Sequence, residues 1–203
     1  IDNAADEALA GFARKIQVTL HLDGSITVAD DGRGIPVGLH PEEGVPVVVL
    51  AYTRLHAGGK FDKAAGGAYS FSGGLHGVGV SVTNALSSRL EVTVWRPDEQ
   101  GNLVHTIAFA NGELVRKLSS RPGTRGDPRH GTRVHVVPNP KYFDSPTVPM
   151  ADLVRLLRSK AVLMAGDQLT LGRTSLRIHI DRPSPPRKRD VPSRVKGFLR
   201  SSG

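Results

Sequence analysis

The chain has 203 residues, of which 38% are hydrophobic and 23% are charged, a composition ordinary for one soluble globular domain. It excludes a fibrous or wholly disordered chain, and the longest nearly unbroken apolar run, residues 45–52, is too short to span a membrane. The absence of cysteine excludes disulfides, a cysteine nucleophile and a thiolate metal site, and it fits a reducing compartment such as the cytoplasm.

The net charge of +8 is unevenly placed along the chain. Residues 182–203 contain seven basic residues and one acidic residue, whereas the remainder is close to neutral. Because this tail is rich in proline and arginine and has little apolar periodicity, we predict a folded domain over 1–181 and a disordered tail over 182–203. We interpret the tail as solvated rather than as a dedicated DNA-binding arm. The chain opens at Ile1 without Met, so we expect a fragment that begins inside an element.

Apolar periodicity and turn residues predict alternating helices and hairpins. The predicted elements are a helix over 1–10, a hairpin of strands over 16–22 and 26–28, helices over 46–57 and 77–86, strands over 90–95, 104–109 and 132–137, a helix over 150–164, and a last strand over 169–180. Frequent hairpins favour a two-layer α/β sandwich, in which a mixed sheet carries helices on one face, over a doubly wound parallel sheet.

Glycine is concentrated in one segment. Eight of the 23 glycines fall between residues 58 and 79, in front of a predicted helix. Such a cluster suits a phosphate-binding loop, but residues 72–79, which read SGGLHGVG, have neither the Gly-Lys-Ser/Thr of a P-loop nor the acidic partner of a Rossmann fingerprint. From the residues alone, a phosphate site and a flexible loop remain equal alternatives. Lys60 is either a phosphate ligand or solvated surface.

A second cluster, residues 30–36, reads DDGRGIP. Strand alternation places Asp30 with Ile26 and Val28 on the apolar face, where a carboxylate must find hydrogen-bond donors. The ordinary interpretation is a turn in which the aspartates accept local backbone N–H groups, and we prefer it for Asp31. For Asp30 the alternative is a pocket carboxylate that faces the amino group of a ligand.

Two further polar groups each allow two interpretations. Asn3, Asp6 and Glu7 share one face of the first helix, which is solvated in the ordinary case; alternatively, Asn3 supplies an oxygen to Mg²⁺ and Glu7 pairs with Arg33. The turn with His40, Glu42 and Glu43 leaves a metal-dependent hydrolase as a minor alternative, although its spacing does not suit a closed metal site.

Taken together, these clusters resemble a known family. The segments 3–8, 30–36, 56–61, 73–79 and 131–132 are similar, in order and spacing, to the ATPase domain of bacterial type II topoisomerase B subunits. The resemblance covers about residues 1–171, and nothing after 171 aligns with the family. Histidine kinases, mismatch-repair ATPases and heat-shock chaperones share only some of these motifs. Segments 142–146 and 160–163 look more like topoisomerase IV than gyrase.

The resemblance implies a GHKL-type sandwich that holds ATP and Mg²⁺. It implies that Asn3 coordinates Mg²⁺, that Asp30 accepts from the adenine amino group, and that Thr132 shares a bound water. Gly34, Ile35 and Pro36 would line the adenine pocket, and Glu7 with Arg33 would form its wall. The residues implied at the phosphates are Lys60, Gly74, Leu75, His76, Gly77, Val78, Gly79 and Val80.

The resemblance also implies what the chain does and lacks. In the family, hydrolysis uses a Glu two residues before the position that matches Ile1, so no catalytic residue is expected within these 203 residues. The chain would be the ATPase part of an ATP-dependent DNA topoisomerase, acting in the cytoplasm with a topoisomerase A subunit in a heterotetramer, and its dimerisation on ATP binding would gate DNA strand passage. The alternatives are a gyrase B subunit and a nucleotide-binding module that is inactive on its own.

Overall fold

The computed structural model describes residues 1–54, 79–98, 101–145, 147–163, 168–171 and 178–179. The described helices are α1 Asp2–Leu9, α2 Val47–Thr53, α3 Gly79–Ala85 and α4 Met150–Leu163, with a 3₁₀ turn at Pro140–Tyr142. The strands are β1 Lys15–Leu20, β2 Ile26–Asp30, β3 Ser87–Asp98, β4 Gly101–Ala110, β5 Glu113–Pro122, β6 Gly131–Pro138, β7 Gln168–Leu171 and β8 Ile178–His179.

All eight strands form one sheet in the order β5-β4-β3-β6-β2-β1-β7-β8. The neighbours pair antiparallel, except that β7 runs parallel to β1. The predicted mixed sheet is therefore confirmed. In the described ranges, no helix is both long enough and apolar enough to cross a membrane.

The helices cover one face of the sheet because the strands alternate apolar and polar side chains. At one end, Ile16 and Val18 of β1 pack with the alanines of α1 and with Leu157 of α4. At the other end, α2 buries Tyr52 against Phe109 of β4, with ring centroids 5.4 Å apart. These two clusters make up the core and fix α1 beside the ends of β1 and β2.

Two predictions about the strands were wrong. The last predicted strand, 169–180, is two short strands, β7 and β8, that pair antiparallel. The prediction also lacked β5, whose side chains are nearly all exposed, so no apolar alternation marks it. A different signal was present: Asn111 and Gly112, with φ of 51° and 87°, form the two-residue turn that joins β4 to β5, as an Asn-Gly pair does in a hairpin.

Two adjacent leucines of α4 test how the helix layer is held. Leu157 is fully buried, whereas Leu156 is 41% exposed. We expect Leu157→Ala to lower the free energy of unfolding by about 2–5 kcal/mol because it leaves a cavity, and Leu156→Ala to change it by roughly 0.5 kcal/mol or less. Urea unfolding followed by circular dichroism measures both; equal effects would contradict the packing of α4 on β1.

Candidate functional site

The site begins at the carboxyl end of β2. Asp30 is the last residue of this strand and lies between Ile16 of β1 and Thr132 of β6 in the sheet register. One carboxylate oxygen, Oδ1, accepts a hydrogen bond of 2.9 Å from the backbone N–H of Gly32. The sheet thus holds a carboxylate at the layer between strands and helices, where donors are few.

Burial raises the pKa of the Asp30 carboxyl to about 6. The nearby charges of Glu7 and Asp31 contribute to this rise, and hydrogen bonds from the backbone N–H groups of Gly32 and Thr132 oppose it. A carboxyl in this state ionises readily near neutral pH and gains from any new donor that reaches it. A ligand amino group is a donor of that kind.

Asp31 accepts backbone N–H groups, as predicted, but they are not the local ones that the prediction named. Its Oδ1 accepts two backbone N–H groups, from Arg14 at 2.7 Å and from Lys15 at 2.8 Å. These donors lie at the start of β1 rather than in the local turn. The carboxylate of Asp31 therefore ties the end of β2 to the start of β1, while that of Asp30 faces the helix layer.

A buried ion pair joins α1 to the turn after β2. Glu7 is 5% exposed, so the polar face of α1 is not solvated at this position. Its Oε1 accepts from Arg33 Nη2 at 2.8 Å, and its Oε2 accepts from Arg33 Nε at 3.2 Å and from the Arg33 backbone N–H at 2.9 Å. The guanidinium also stacks on the ring of Phe12, 3.7 Å from its centroid. The predicted Glu7–Arg33 pair is confirmed.

The turn itself requires glycine. A Cβ atom on Gly32 would lie 2.8 Å from both Cβ and Oε2 of Glu7, and one on Gly34 would lie 2.8 Å from the carbonyl oxygen of Trp95. Gly34 also has a φ of +79°, which disfavours other residues. The backbone of this turn can therefore approach α1 and β3 closely only because these positions lack side chains.

β6 lies on the other side of Asp30, opposite β1. Thr132 is 2% exposed, and its Oγ1 accepts a hydrogen bond of 3.2 Å from the backbone N–H of Ile35. Ile35 is 1% exposed and belongs to the core cluster with α2, and Pro36 beside it is half-buried. The structure thus brings Asp30, Thr132 and the 34–36 turn together.

Asn3 lies one helical turn before Glu7, so both occupy the same side of α1. Asn3 is half-buried, and its amide makes no hydrogen bond with any residue that the structure describes. Its carbonyl oxygen is a ligand of the kind that Mg²⁺ accepts.

The turn over 40–43 gives the hydrolase alternative no support. His40 Nδ1 accepts the backbone N–H of Glu42 at 3.3 Å, and Glu43 forms an ion pair of 2.7 Å with Arg54. Among the described residues, no group of three or more histidine and acidic side chains is arranged to hold a metal ion.

Comparison with known families decides what this arrangement is. Residues 1–141 match the family described as histidine kinase-, DNA gyrase B- and HSP90-like ATPases. The chain belongs to this ATPase family. Asn3, Glu7, the 30–36 turn and Thr132 all lie within the matched segment.

Curated relatives place the ATPase domain among topoisomerase subunits. It is 54% identical over 170 residues to the B subunit of DNA topoisomerase 4 from Salmonella typhimurium and 53% identical to that from Escherichia coli, in each case over 84% of this chain and 26% of the relative. It is 48% identical over 169 residues to the B subunit of DNA gyrase from Thermus thermophilus, over 83% of this chain and 25% of the relative. The chain spans about a quarter of the length of these relatives. Identity is higher to topoisomerase IV than to this gyrase, as expected.

A solved structure agrees in fold. The topoisomerase IV ATP-binding domain of Francisella tularensis, in complex with a small-molecule inhibitor, superposes with a TM-score of 0.69 and 39% identity, over 89% of this chain and 46% of that one. The GHKL-type α/β sandwich that the resemblance implied is confirmed.

Two residues of this ATPase domain were not predicted. Arg96, at the end of β3, donates from Nη1 to the carbonyl oxygen of Gly34 at 2.7 Å, and His130 Nδ1 lies 2.8 Å from the carbonyl oxygen of Gly32. Because an acceptor faces it, His130 Nδ1 carries the proton. Arg96 holds the turn from β3 and His130 holds it from the loop before β6, both distant in sequence, and no spacing within a motif marks them.

Most of the glycine-rich segment lies outside the described residues. Lys60, Gly74, Leu75, His76, Gly77 and Val78 belong to it, and so does the tail after residue 179. Gly79 and Val80 are described and begin α3. The predicted phosphate contacts therefore stay predictions.

The raised pKa of Asp30 predicts a pH-dependent stability. Since this pKa is about 6 in the folded ATPase domain and 3.8 as its ordinary value, the folded state binds the extra proton. The contribution of Asp30 to the free energy of unfolding therefore falls as pH rises from about 4 to 6 and stays low above 6. We expect Asp30→Asn, which cannot ionise, to be more stable than the native chain by on the order of 1–2 kcal/mol at pH 7.5, and to lose this advantage near pH 4.

Urea unfolding of the native chain and of Asp30→Asn at several pH values measures the difference in their free energies of unfolding. The titration of all other groups is common to both proteins and cancels in this difference. Asp31→Asn is the control. Two backbone N–H groups already stabilise the ionised Asp31 carboxylate, so this substitution should not raise the free energy of unfolding. A stability difference for Asp30→Asn that does not vary with pH would contradict the desolvated, proton-binding state of Asp30.

Proposed function

We propose that this chain is the ATPase domain of a topoisomerase IV B subunit, which binds ATP with Mg²⁺ and drives the DNA strand passage of the full-length enzyme. The observation that carries the proposal is the desolvated Asp30 carboxyl, held beside Thr132 and behind the Glu7–Arg33 pair in a chain of this ATPase family. The topoisomerase IV branch is preferred because the identity to its subunits reaches 54%, against 48% for the gyrase subunit.

In this proposal the adenine base lies against the turn after β2. The Asp30 carboxylate accepts from the adenine amino group, which is a donor, so a base with a carbonyl at that position is rejected. Thr132 Oγ1 shares a water with the base, and Gly34, Ile35 and Pro36 contact its ring. The Glu7–Arg33 pair forms the wall of the pocket, and Phe12 supports the guanidinium from behind.

The metal and phosphates lie toward α1 and the glycine-rich segment. Asn3 fits a Mg²⁺ ligand because its half-buried amide is not committed to any described residue. When bound, Mg²⁺ neutralises phosphate charge. We assign Lys60 and the amides of residues 74–80 to the phosphates on the basis of the family resemblance.

The partners follow from the relatives rather than from the described residues. The similar proteins are named as subunits of DNA topoisomerases, and we propose that this chain likewise acts with a topoisomerase A subunit in a heterotetramer. Two copies would dimerise on binding ATP and change DNA topology during chromosome segregation in the cytoplasm.

A second candidate is a module that binds the nucleotide without hydrolysing it. The three acidic side chains around the turn are all engaged: Asp30 by Gly32, Asp31 by two backbone N–H groups and Glu7 by Arg33. None of these three is free to take a proton from an attacking water. The two candidates share one binding site and differ in turnover.

Paired aspartate variants test the adenine contact. Asp30→Asn presents an NH₂ group to the adenine amino group and removes the charge from the contact, so we expect affinity for a non-hydrolysable ATP analogue to fall roughly tenfold to a hundredfold. Asp31→Asn should change it by less than about threefold, because Asp31 serves the hairpin. Isothermal titration calorimetry with Mg²⁺ measures both.

Stability distinguishes lost binding from lost folding in these variants, because Asp30→Asn is expected to fold at least as stably as the native chain at pH 7.5. A fall in affinity in that variant then reports the contact itself. Equal losses in the two variants would show that the assignment of Asp30 to adenine is wrong.

Turnover separates the two candidates. We expect the 203-residue chain to bind the ATP analogue but to release phosphate from ATP at least a hundredfold more slowly than a variant or longer chain that supplies a general base, since such a base contributes about 10²- to 10⁴-fold. Phosphate release by a purified sample, compared with binding of the same sample, decides it. Vigorous hydrolysis would show that a described or undescribed residue of this chain acts as the base.

A further inference from the structure

The near-neutral charge of residues 1–181 conceals a strongly basic region. Residues 113–133, here called the basic edge, contain six arginine or lysine residues and two acidic ones. The other residues between 1 and 181 contain 14 basic and 16 acidic residues, so they are slightly negative. The net positive charge of residues 1–181 therefore comes from about a tenth of that sequence.

The fold places this region at one rim of the molecule. Among the described strands, β5 is the last of the sheet and pairs only with β4, and nearly all of its side chains are exposed. At about 3.3 Å per residue, its ten residues run for roughly 33 Å. The loop over 123–130 leaves this rim and crosses the ends of β4 and β3 to reach β6.

Asp127 holds the loop of the basic edge in place. Asp127 accepts from Arg121 Nη1 at 2.8 Å, from the Thr124 backbone N–H at 2.9 Å and from Trp95 Nε1 at 3.4 Å. These donors hold the pKa of Asp127 well below its usual range, so it stays ionised. Its charge is used to fold the loop and to compensate one arginine.

Three cations of the basic edge have no such compensation. Lys117, Arg125 and Arg129 are exposed, and they form no ion pair or hydrogen bond with any residue in the described ranges. Arg116 is only loosely paired, 3.4 Å from a Glu91 carboxylate that Arg89 already contacts. Exposed charges of one sign repel one another and lower the stability of the fold, and they attract a ligand of opposite charge.

Protection of an edge strand explains part of this pattern. Charged side chains on an outer strand prevent pairing with the edge of another molecule, which accounts for Lys117 on β5. It does not account for Arg125 and Arg129, because they lie in the loop beyond the strand and cover no unpaired strand backbone. The surplus charge extends further than edge protection requires.

We propose that the basic edge is a contact site for the phosphates of duplex DNA. Duplex DNA carries about one charge per 1.7 Å of its axis, and the roughly 33 Å of β5 corresponds to about one helical turn. The exposed cations are spread over β5 and the loop that follows it, and this spread fits an extended polyanion better than a small anion, which a compact cluster would bind. The choice of DNA as the polyanion rests on the proposed function, whereas the spread of free cations does not.

Matched triple variants of the 203-residue chain test the site. The first replaces the free cations, Lys117→Gln, Arg125→Gln and Arg129→Gln. The control removes the same charge elsewhere, on the exposed side chains Lys141→Gln, Arg155→Gln and Arg158→Gln. Both variants keep the basic tail, so its contribution is common to all three proteins.

Fluorescence anisotropy with a labelled duplex of about 30 base pairs measures affinity between about 50 and 200 mM salt. We expect the basic-edge variant to lose at least tenfold in affinity at about 0.1 M salt, and the slope of log K against log salt to become shallower by roughly 2–3. The control should lose less than threefold. Equal losses in the two variants, or no loss in either, would overturn the proposal.

Two further readouts separate the remaining explanations. If poly-glutamate displaces the duplex as well as unlabelled DNA does at equal charge, the site is a general polyanion surface and the proposal is wrong. If the basic-edge variant self-associates in gel filtration with unchanged DNA affinity, the cations only protect the edge, which also overturns it. Calorimetry with the ATP analogue on all three proteins shows whether the proposed function holds, independently of the DNA result.

Discussion

The ion pair between Glu7 and Arg33 is the contact on which the site depends. α1 has only eight residues and contributes three alanines to the core, so apolar packing alone positions it weakly. The carboxylate of Glu7 is nearly inaccessible to water and takes three donors from Arg33, including a backbone N–H. Removing Arg33 would leave the buried Glu7 carboxylate without its cation, which typically costs about 3–5 kcal/mol. The pair therefore fixes the distance between the helix and the turn after β2.

This constraint explains why the turn has its sequence. Glu7 reaches Arg33 only because Gly32 lies against its side chain without a Cβ, and Gly34 turns with positive φ beneath β3. Arg96 and His130 then hold the two glycine carbonyls from β3 and from the loop before β6. The backbone of the turn is thus bound from three elements and is prepared before any ligand arrives, which lowers the entropy lost on binding.

The sequence was informative where local periodicity and local chemistry agree. Strand alternation was enough to separate Asp30 from Asp31, because neighbouring residues of a strand face opposite sides. Strand alternation failed for β5, which is exposed on both faces and so has no apolar period, although the Asn-Gly pair at 111–112 is a sequence signal for a hairpin turn. Arg96 and His130 could not be found, because they reach the site through sheet pairing that joins residues 62 and 98 positions apart. Net charge misled for a related reason: a total near zero says nothing of how a fold distributes it.

Asp30 shows how function and stability oppose each other in this domain. Burial of the carboxyl raises its pKa to about 6, so at neutral pH the folded chain holds an ionised group with too few donors. The backbone N–H groups of Gly32 and Thr132 stabilise the ionised carboxylate and lower its pKa, whereas the charge of Glu7 repels it and raises the pKa. An asparagine or an apolar residue would suit the apo fold better. Binding sites often keep a residue that lowers the stability of the fold, because the ligand supplies the interaction that the residue lacks. The amino group of adenine would supply a further donor, so the raised pKa of Asp30 supports the proposal that a nucleotide binds beside it.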